Sequence, residues 1–114
     1  LFFDGKCIFT SVTRKEMVFY QVTPKDLDGI VDQLRQTKGV ECAIFLYETA
    51  AQEYKVSMRS NDYVDVSRIA ADFGGGGHVR AAGCTMTGSV HDVINNISEK
   101  IEKQLLEQEA GGRR

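Results

Sequence analysis

Hydrophobic and polar positions fall into short blocks whose period changes along the chain. Leu27, Ile30, Val31 and Leu34 follow Thr23 and Pro24 at helical spacing. This lays one apolar stripe on a helix capped by Thr23, with Pro24 in its first turn, Asp26 completing a capping box and Gly39 as the stop signal beyond Lys38. From Val40 to Tyr47 both alternating faces are apolar, as in a central strand covered on both sides. Glu53 to Ser60 alternates instead, Tyr54, Val56 and Met58 against Lys55, Ser57 and Arg59, which predicts a strand with one polar face. Glu48 to Gln52 reads as the hairpin between them. Val66, Ile69, Ala70 and Phe73 mark a short helix. Gly88 and Ser89 open a last one, whose apolar face runs Val90, Val93, Ile94, Ile97, Ile101 and Leu105 and which is expected to end near Gln108. Gly5 to Val12 and Cys84 to Thr87 are further strand candidates. The fold class this predicts is α+β or α/β, a four- to five-stranded mixed sheet with about three helices packed on it.

The 114 residues, 42% of them apolar, suffice for one hydrophobic core, so residues 1–114 are expected to form a single domain. Residues 1–5 read as the end of a linker and 110–114 as a flexible tail, and a chain that opens on Leu1 reads as a piece of a longer polypeptide. The longest apolar run, Cys42 to Tyr47, has six residues against the about 20 of a membrane span, so no membrane partner is expected. Cys7, Cys42 and Cys84 are odd in number and lie in apolar stretches. They are expected to be unpaired buried thiols, which points to the cytoplasm. A net charge of -2 argues against the broad basic face of a non-specific nucleic-acid binder, while leaving room for a focused anion site.

The candidate chemistry lies between Val56 and Gly83. Four consecutive glycines, Gly74 to Gly77, precede His78. Gly74 is accounted for as the C-terminal cap of the helix before it. The other three each cost roughly 0.5 to 1 kcal/mol relative to alanine, so Gly75, Gly76 and Gly77 are expected where backbone turns sharply or approaches a ligand, with N–H groups free to converge on an anion. Neither a P-loop nor a dinucleotide fingerprint fits the spacing. On the preceding strand Ser57 and Arg59 share a face and Ser60 adds a hydroxyl at its end; a guanidinium fork beside hydroxyl donors suits phosphate. Lys55 to Gly83 carries four basic and three acidic residues, in a chain that is acidic overall.

Ser57, Met58, Arg59 and Ser60, then Val64 to Ile69, Phe73 to His78 and Ala81 to Gly83, together resemble the C-terminal DHH-associated domain of the DHH phosphoesterase superfamily. The signature is similar to Ser-x-Arg-Ser, a Val-Asp-Val-Ser helix start, and Gly-Gly-His followed after two residues by Ala-Ala-Gly. Leu27 to Glu48 is consistent with the family's preceding helix and strand. Within the superfamily the chain looks most like the nano-RNase (oligoribonuclease) and pAp-phosphatase branch.

The resemblance implies a substrate-binding domain of a metal-dependent phosphoesterase that hydrolyses short oligoribonucleotides or 3′-phosphoadenosine 5′-phosphate. It implies that Arg59 and His78 bind phosphate, that Gly75, Gly76 and Gly77 present backbone donors, and that Ser57 and Ser60 support them. Arg80, at a variable position of the motif, and Tyr63, a candidate for stacking on a base, are secondary candidates. The implied partners are an N-terminal DHH catalytic domain of the same polypeptide, carrying manganese, and a short single-stranded RNA or nucleoside bisphosphate. With only His78 and His91 and no Asp-His-His string, the chain is expected to hold no metal itself and not to catalyse alone. The alternatives are a non-catalytic nucleotide- or phosphometabolite-sensing module, or a single-strand exonuclease or cyclic-dinucleotide phosphodiesterase of the same superfamily. His91 reads as a surface residue, and Phe45, Tyr47 and Phe73 as packing.

Overall fold

A computed structural model describes residues 5–112. The elements in chain order are β1 (Cys7–Val12), α1 (Arg14–Tyr20), α2 (Pro24–Leu34), β2 (Cys42–Ala50), β3 (Glu53–Ser60), α3 (Val66–Asp72), β4 (Gly76–His78), β5 (Ala81–Thr87) and α4 (Val90–Gly112). The strands form one five-stranded sheet in the order β1-β2-β3-β5-β4. It is mixed, as expected: β1 runs parallel to β2, and every other neighbouring pair is antiparallel.

Two apolar layers sandwich the centre of the sheet. On one face Ile44 and Leu46 of β2 and Tyr54, Val56 and Met58 of β3 meet α3 and α4 through Val66, Ile69, Ala70, Val93, Ile97 and Ile101. On the other, Ala43, Phe45 and Tyr47 of β2 pack against Leu27 and Val31 of α2, with Met17 of α1 at the margin. Strand β2 is therefore covered on both faces, which is why its sequence lacks alternation. Ile30 departs from the expected α2 stripe and is exposed, since Leu27 and Val31 already span the contact.

The caps form as the sequence predicts. Thr23 accepts from the Asp26 N–H, and the Asp26 carboxylate accepts from the Thr23 N–H. Ser89 and Asp92 make the same reciprocal pair at the start of α4. Gly74 follows α3 with φ +81°, the left-handed conformation that ends helices.

Several expectations are corrected. Helix α1 is additional. Its Thr13–Glu16 capping box is complete, but none of its residues is buried, so it carries no apolar stripe to betray it. Strand β5 begins at Ala81 rather than Cys84, and the end of the glycine run is itself a strand, β4, rather than only a loop. Helix α4 continues to Gly112, past the expected end near Gln108. Residues 1–4 of the expected linker and 113–114 of the expected tail lie outside the described residues.

The cysteines also differ from expectation. Cys7 and Cys42 form a disulfide. They are direct partners in the β1–β2 register, with Cα atoms 4.9 Å apart, a neighbourhood that a sequence separation of 35 residues hides. Cys84 is a free buried thiol, and burial pushes its pKa up to about 11. Among the described residues no helix is long and apolar enough to cross a membrane.

Candidate functional site

Strand β3 presents Tyr54, Val56 and Met58 to the α3–α4 layer, so Ser57 and Arg59 point to the opposite face. Helix α2 covers that face over β2 and the near side of β3. Beyond it, toward β5 and β4, Ala81 and Gly83 are half-buried and Gly76, Gly77 and His78 are exposed. The strand register then defines two rows that start at Ser57, which is buried, and at Arg59, whose side chain is 17% exposed, and run out across this open half. Arg59 lies opposite Ala81, and Ala81 opposite His78; Ser57 lies opposite Gly83, and Gly83 opposite Gly76. Cross-strand partners project to the same side, so Arg59 and His78 stand at two ends of one row with a single methyl group between them. Two strand spacings separate their backbones by about 10 Å. The parallel row between Ser57 and Gly76 is floored by glycine.

Arg59 is held from behind. Its Nε donates to Asp32 Oδ1 on α2 at 2.9 Å, and its Nη1 donates to the Met58 carbonyl at 3.0 Å. Nη2 makes no hydrogen bond among the described residues. The guanidinium is thus fixed through two of its nitrogens, which leaves Nη2 for a charge-assisted bond with a phosphate oxygen. The His78 side chain also makes no hydrogen bond or ion pair among the described residues. Sequence reading missed Asp32, because no local pattern links a helix position to a strand position 27 residues away.

The glycines divide by steric demand. A Cβ on Gly75 would fall 2.6 Å from Cys84 Cβ and against the Gly83 carbonyl; one on Gly77 would fall 2.6 Å from both Ala81 O and Ala82 Cα. These two serve the close passage of β4 along β5. Gly76 differs, for its φ is ordinary and nothing lies within 4 Å of an added Cβ. The fold itself imposes no demand for glycine there.

The remaining sequence candidates are placed elsewhere. Ser60 belongs to the opposite face; it is buried, and its hydroxyl donates to the Val64 carbonyl at 2.6 Å. Tyr63 is half-buried against the α3–α4 core, its backbone N–H on Glu41. Arg80 turns back onto the loop between β3 and α3. That loop is pinned by the buried carboxylate of Glu41, which accepts N–H bonds from Asp62, Tyr63 and Val64 at 2.9, 3.0 and 2.8 Å. Asp65 caps α3 by accepting from Ser67 and Arg68. Burial raises its pKa, but the Ser67 hydroxyl, the two backbone donors and the Arg68 charge outweigh this and hold it below the usual value. No group of three or more His, Cys, Asp or Glu among the described residues is placed to share a metal ion.

Residues 5–107 match the DHHA1 domain, and the chain belongs to that family, the DHH-associated domain of the DHH phosphoesterase superfamily. Its relatives are oligoribonucleases and pAp phosphatases. It is 34% identical over 82 residues to the bifunctional oligoribonuclease and PAP phosphatase NrnA of Thermus thermophilus, covering 71% of this chain and 25% of that protein. It is 34% identical over 98 residues to the NrnA of Mycoplasma pneumoniae, covering 86% and 29%. Over a shorter stretch of 41 residues it is 50% identical to the oligoribonuclease NrnB of Bacillus subtilis, covering 35% and 10%. The crystal structure of an exopolyphosphatase-related protein from Bacteroides fragilis superposes with a TM-score of 0.79 at 27% identity, over 90% of this chain and 30% of that one. The chain thus spans less than a third of the length of each of these proteins.

Proposed function

We propose that this domain is the substrate-gripping part of a metal-dependent DHH phosphoesterase acting on short oligoribonucleotides or 3′-phosphoadenosine 5′-phosphate. Arg59 and His78 hold a substrate phosphate from two sides, the backbone of Gly75 to Gly77 lies alongside, and Ser57 adds a hydroxyl from the neighbouring row. The observation that carries this reading is the Arg59–Ala81–His78 row, which runs from beside α2 onto the part of the sheet face, over β5 and β4, that α2 leaves open. The glycine floor lets a phosphate approach the backbone closely, and the open face leaves room for a second domain to close over it. The nucleolytic relatives, each at least three times longer than their match to this chain, supply the class of substrate.

The hydrolytic step and its manganese ions are assigned to a DHH domain of the same polypeptide, in keeping with relatives of which this chain matches 25% and 29% of the length. The sheet geometry agrees with this division. Cys7, at the start of β1, aligns with Cys42, and Cys42 with Ser60. A domain that precedes β1 therefore joins the sheet at the end where Arg59 stands.

The test is an amide-shift titration of the isotope-labelled chain with 3′-phosphoadenosine 5′-phosphate and with linear diadenosine dinucleotide. Shifts confined to Ser57–Ser60 and Gly74–Gly83, abolished by Arg59→Ala, are expected. No shift at millimolar ligand would overturn the reading.

A further inference from the structure

Arg80 sits with Val79 in the turn between β4 and β5, two residues after His78. Its Nη1 donates to the Val64 carbonyl at 2.7 Å and lies 3.5 Å from Ser60 Oγ, while Nη2 donates to the Asp62 carbonyl. Backbone bonds clamp the same turn: the Ser60 N–H donates to Arg80 O at 3.0 Å and the Val66 N–H to Val79 O at 3.0 Å. The loop that supplies these acceptors is itself anchored by Glu41. A continuous polar lattice therefore joins the end of β3 to the β4–β5 turn. Arg59 immediately precedes one clamped point, Ser60, and His78 immediately precedes the other, Val79.

We infer that Arg80 is a positioning residue for the anion site. Its planar fork spans two carbonyls at fixed spacing and holds the β4–β5 turn against the end of β3. That sets where His78 stands relative to Arg59. A lysine ammonium is a point donor on a flexible stem and does not reproduce this geometry. Among the described residues Arg80 pairs with no carboxylate, and its guanidinium bonds only neutral oxygens. The inference rests on the reading of the Arg59–His78 row as a phosphate grip, and it separates Arg80 from the residues that touch phosphate.

The experiment follows guanidinium and amide resonances of the labelled chain, free and with 3′-phosphoadenosine 5′-phosphate. In the wild type, Arg59 Nε and the His78 amide shift on ligand addition, while Arg80 gives slowly exchanging guanidinium signals that do not move. Arg80→Lys and Arg80→Met each weaken binding roughly tenfold or more, a change of about 1.4 kcal/mol or more. In both variants the amides of Gly77, His78 and Val79 move before any ligand is added, while those of α4 stay. A ligand-dependent shift of the Arg80 guanidinium, or wild-type affinity in the Arg80→Lys chain, overturns the positioning role. Should Arg80→Met fail to fold, the wild-type guanidinium signals and Arg80→Lys still decide. Absence of any wild-type shift overturns the phosphate reading, whereas wild-type affinity surviving both substitutions overturns the role of Arg80 alone.

Discussion

Arg59 Nε and Asp32 Oδ1 lie 2.9 Å apart, joining a strand guanidinium to a carboxylate on the helix beside it. Asp32 has two opposing effects on an incoming phosphate. It orients Arg59, which favours binding, and it places a like charge near the anion, which opposes it. The Asp32→Asn substitution keeps an acceptor for Nε and removes only the charge. Its expected result is affinity for 3′-phosphoadenosine 5′-phosphate raised roughly two- to tenfold, the range for one unit charge several ångströms away screened as in bulk water. Asp32→Ala also loses the anchor and is expected to bind more weakly than Asp32→Asn. Calorimetric titration of the two variants separates the effects, and equal affinities would show that the carboxylate does not orient Arg59.

The glycine run offers a sharper division. An added Cβ at Gly75 or Gly77 meets backbone and Cβ atoms of β5 at 2.6 Å, contacts that only a backbone shift relieves. Gly75→Ala and Gly77→Ala are expected to lower stability by about 1 to 3 kcal/mol. Gly76→Ala meets nothing and is expected to leave stability within about 0.5 kcal/mol or raise it slightly, while weakening phosphate binding. Urea unfolding of the three variants beside ligand titration of Gly76→Ala checks both halves. Full affinity in Gly76→Ala would remove that glycine from the site.

Glu41 is 4% exposed and satisfies three consecutive backbone N–H groups with its two oxygens. Glu41→Gln turns one acceptor into a donor facing N–H groups and leaves at least one of them unpaired. A loss of about 1 to 3 kcal/mol is expected. Hydrogen exchange at Asp62, Tyr63 and Val64 should accelerate with it, and unchanged exchange there would sink the proposed anchor.

Asp65 ties the start of α3 to its own first turn. Asp65→Ala is expected to cost about 1 kcal/mol at neutral pH. The folded state lowers the Asp65 pKa, so its contribution is fully present above the unfolded value near about 4 and is lost as pH falls through the lower folded value. The stability difference between wild type and Asp65→Ala should therefore shrink in acid. A difference that stayed constant down to pH of about 2 would show that the charge of Asp65 is not what caps the helix.

What the sequence by itself determined is local. The helical stripe of Leu27 and Val31, the capping pairs Thr23–Asp26 and Ser89–Asp92, the two apolar faces of β2 and the alternation of β3 all follow from side-chain period and from backbone donors that need partners nearby. Two further signals were present in the same local terms. Ser60 shares the parity of Val56 and Met58, which places it on the core face, and Thr13 with Glu16 spells the capping box of α1. Tertiary structure alone decided the rest. It brought Cys7 beside Cys42, seated Arg59 on Asp32, and laid β4 along β5 so that Gly75 and Gly77 became necessary while Gly76 stayed open. These relationships join residues on different elements, and strand order and register set them. A three-residue strand made mostly of glycine carries no period from which its register could be read. That register is what puts His78 in one row with Arg59.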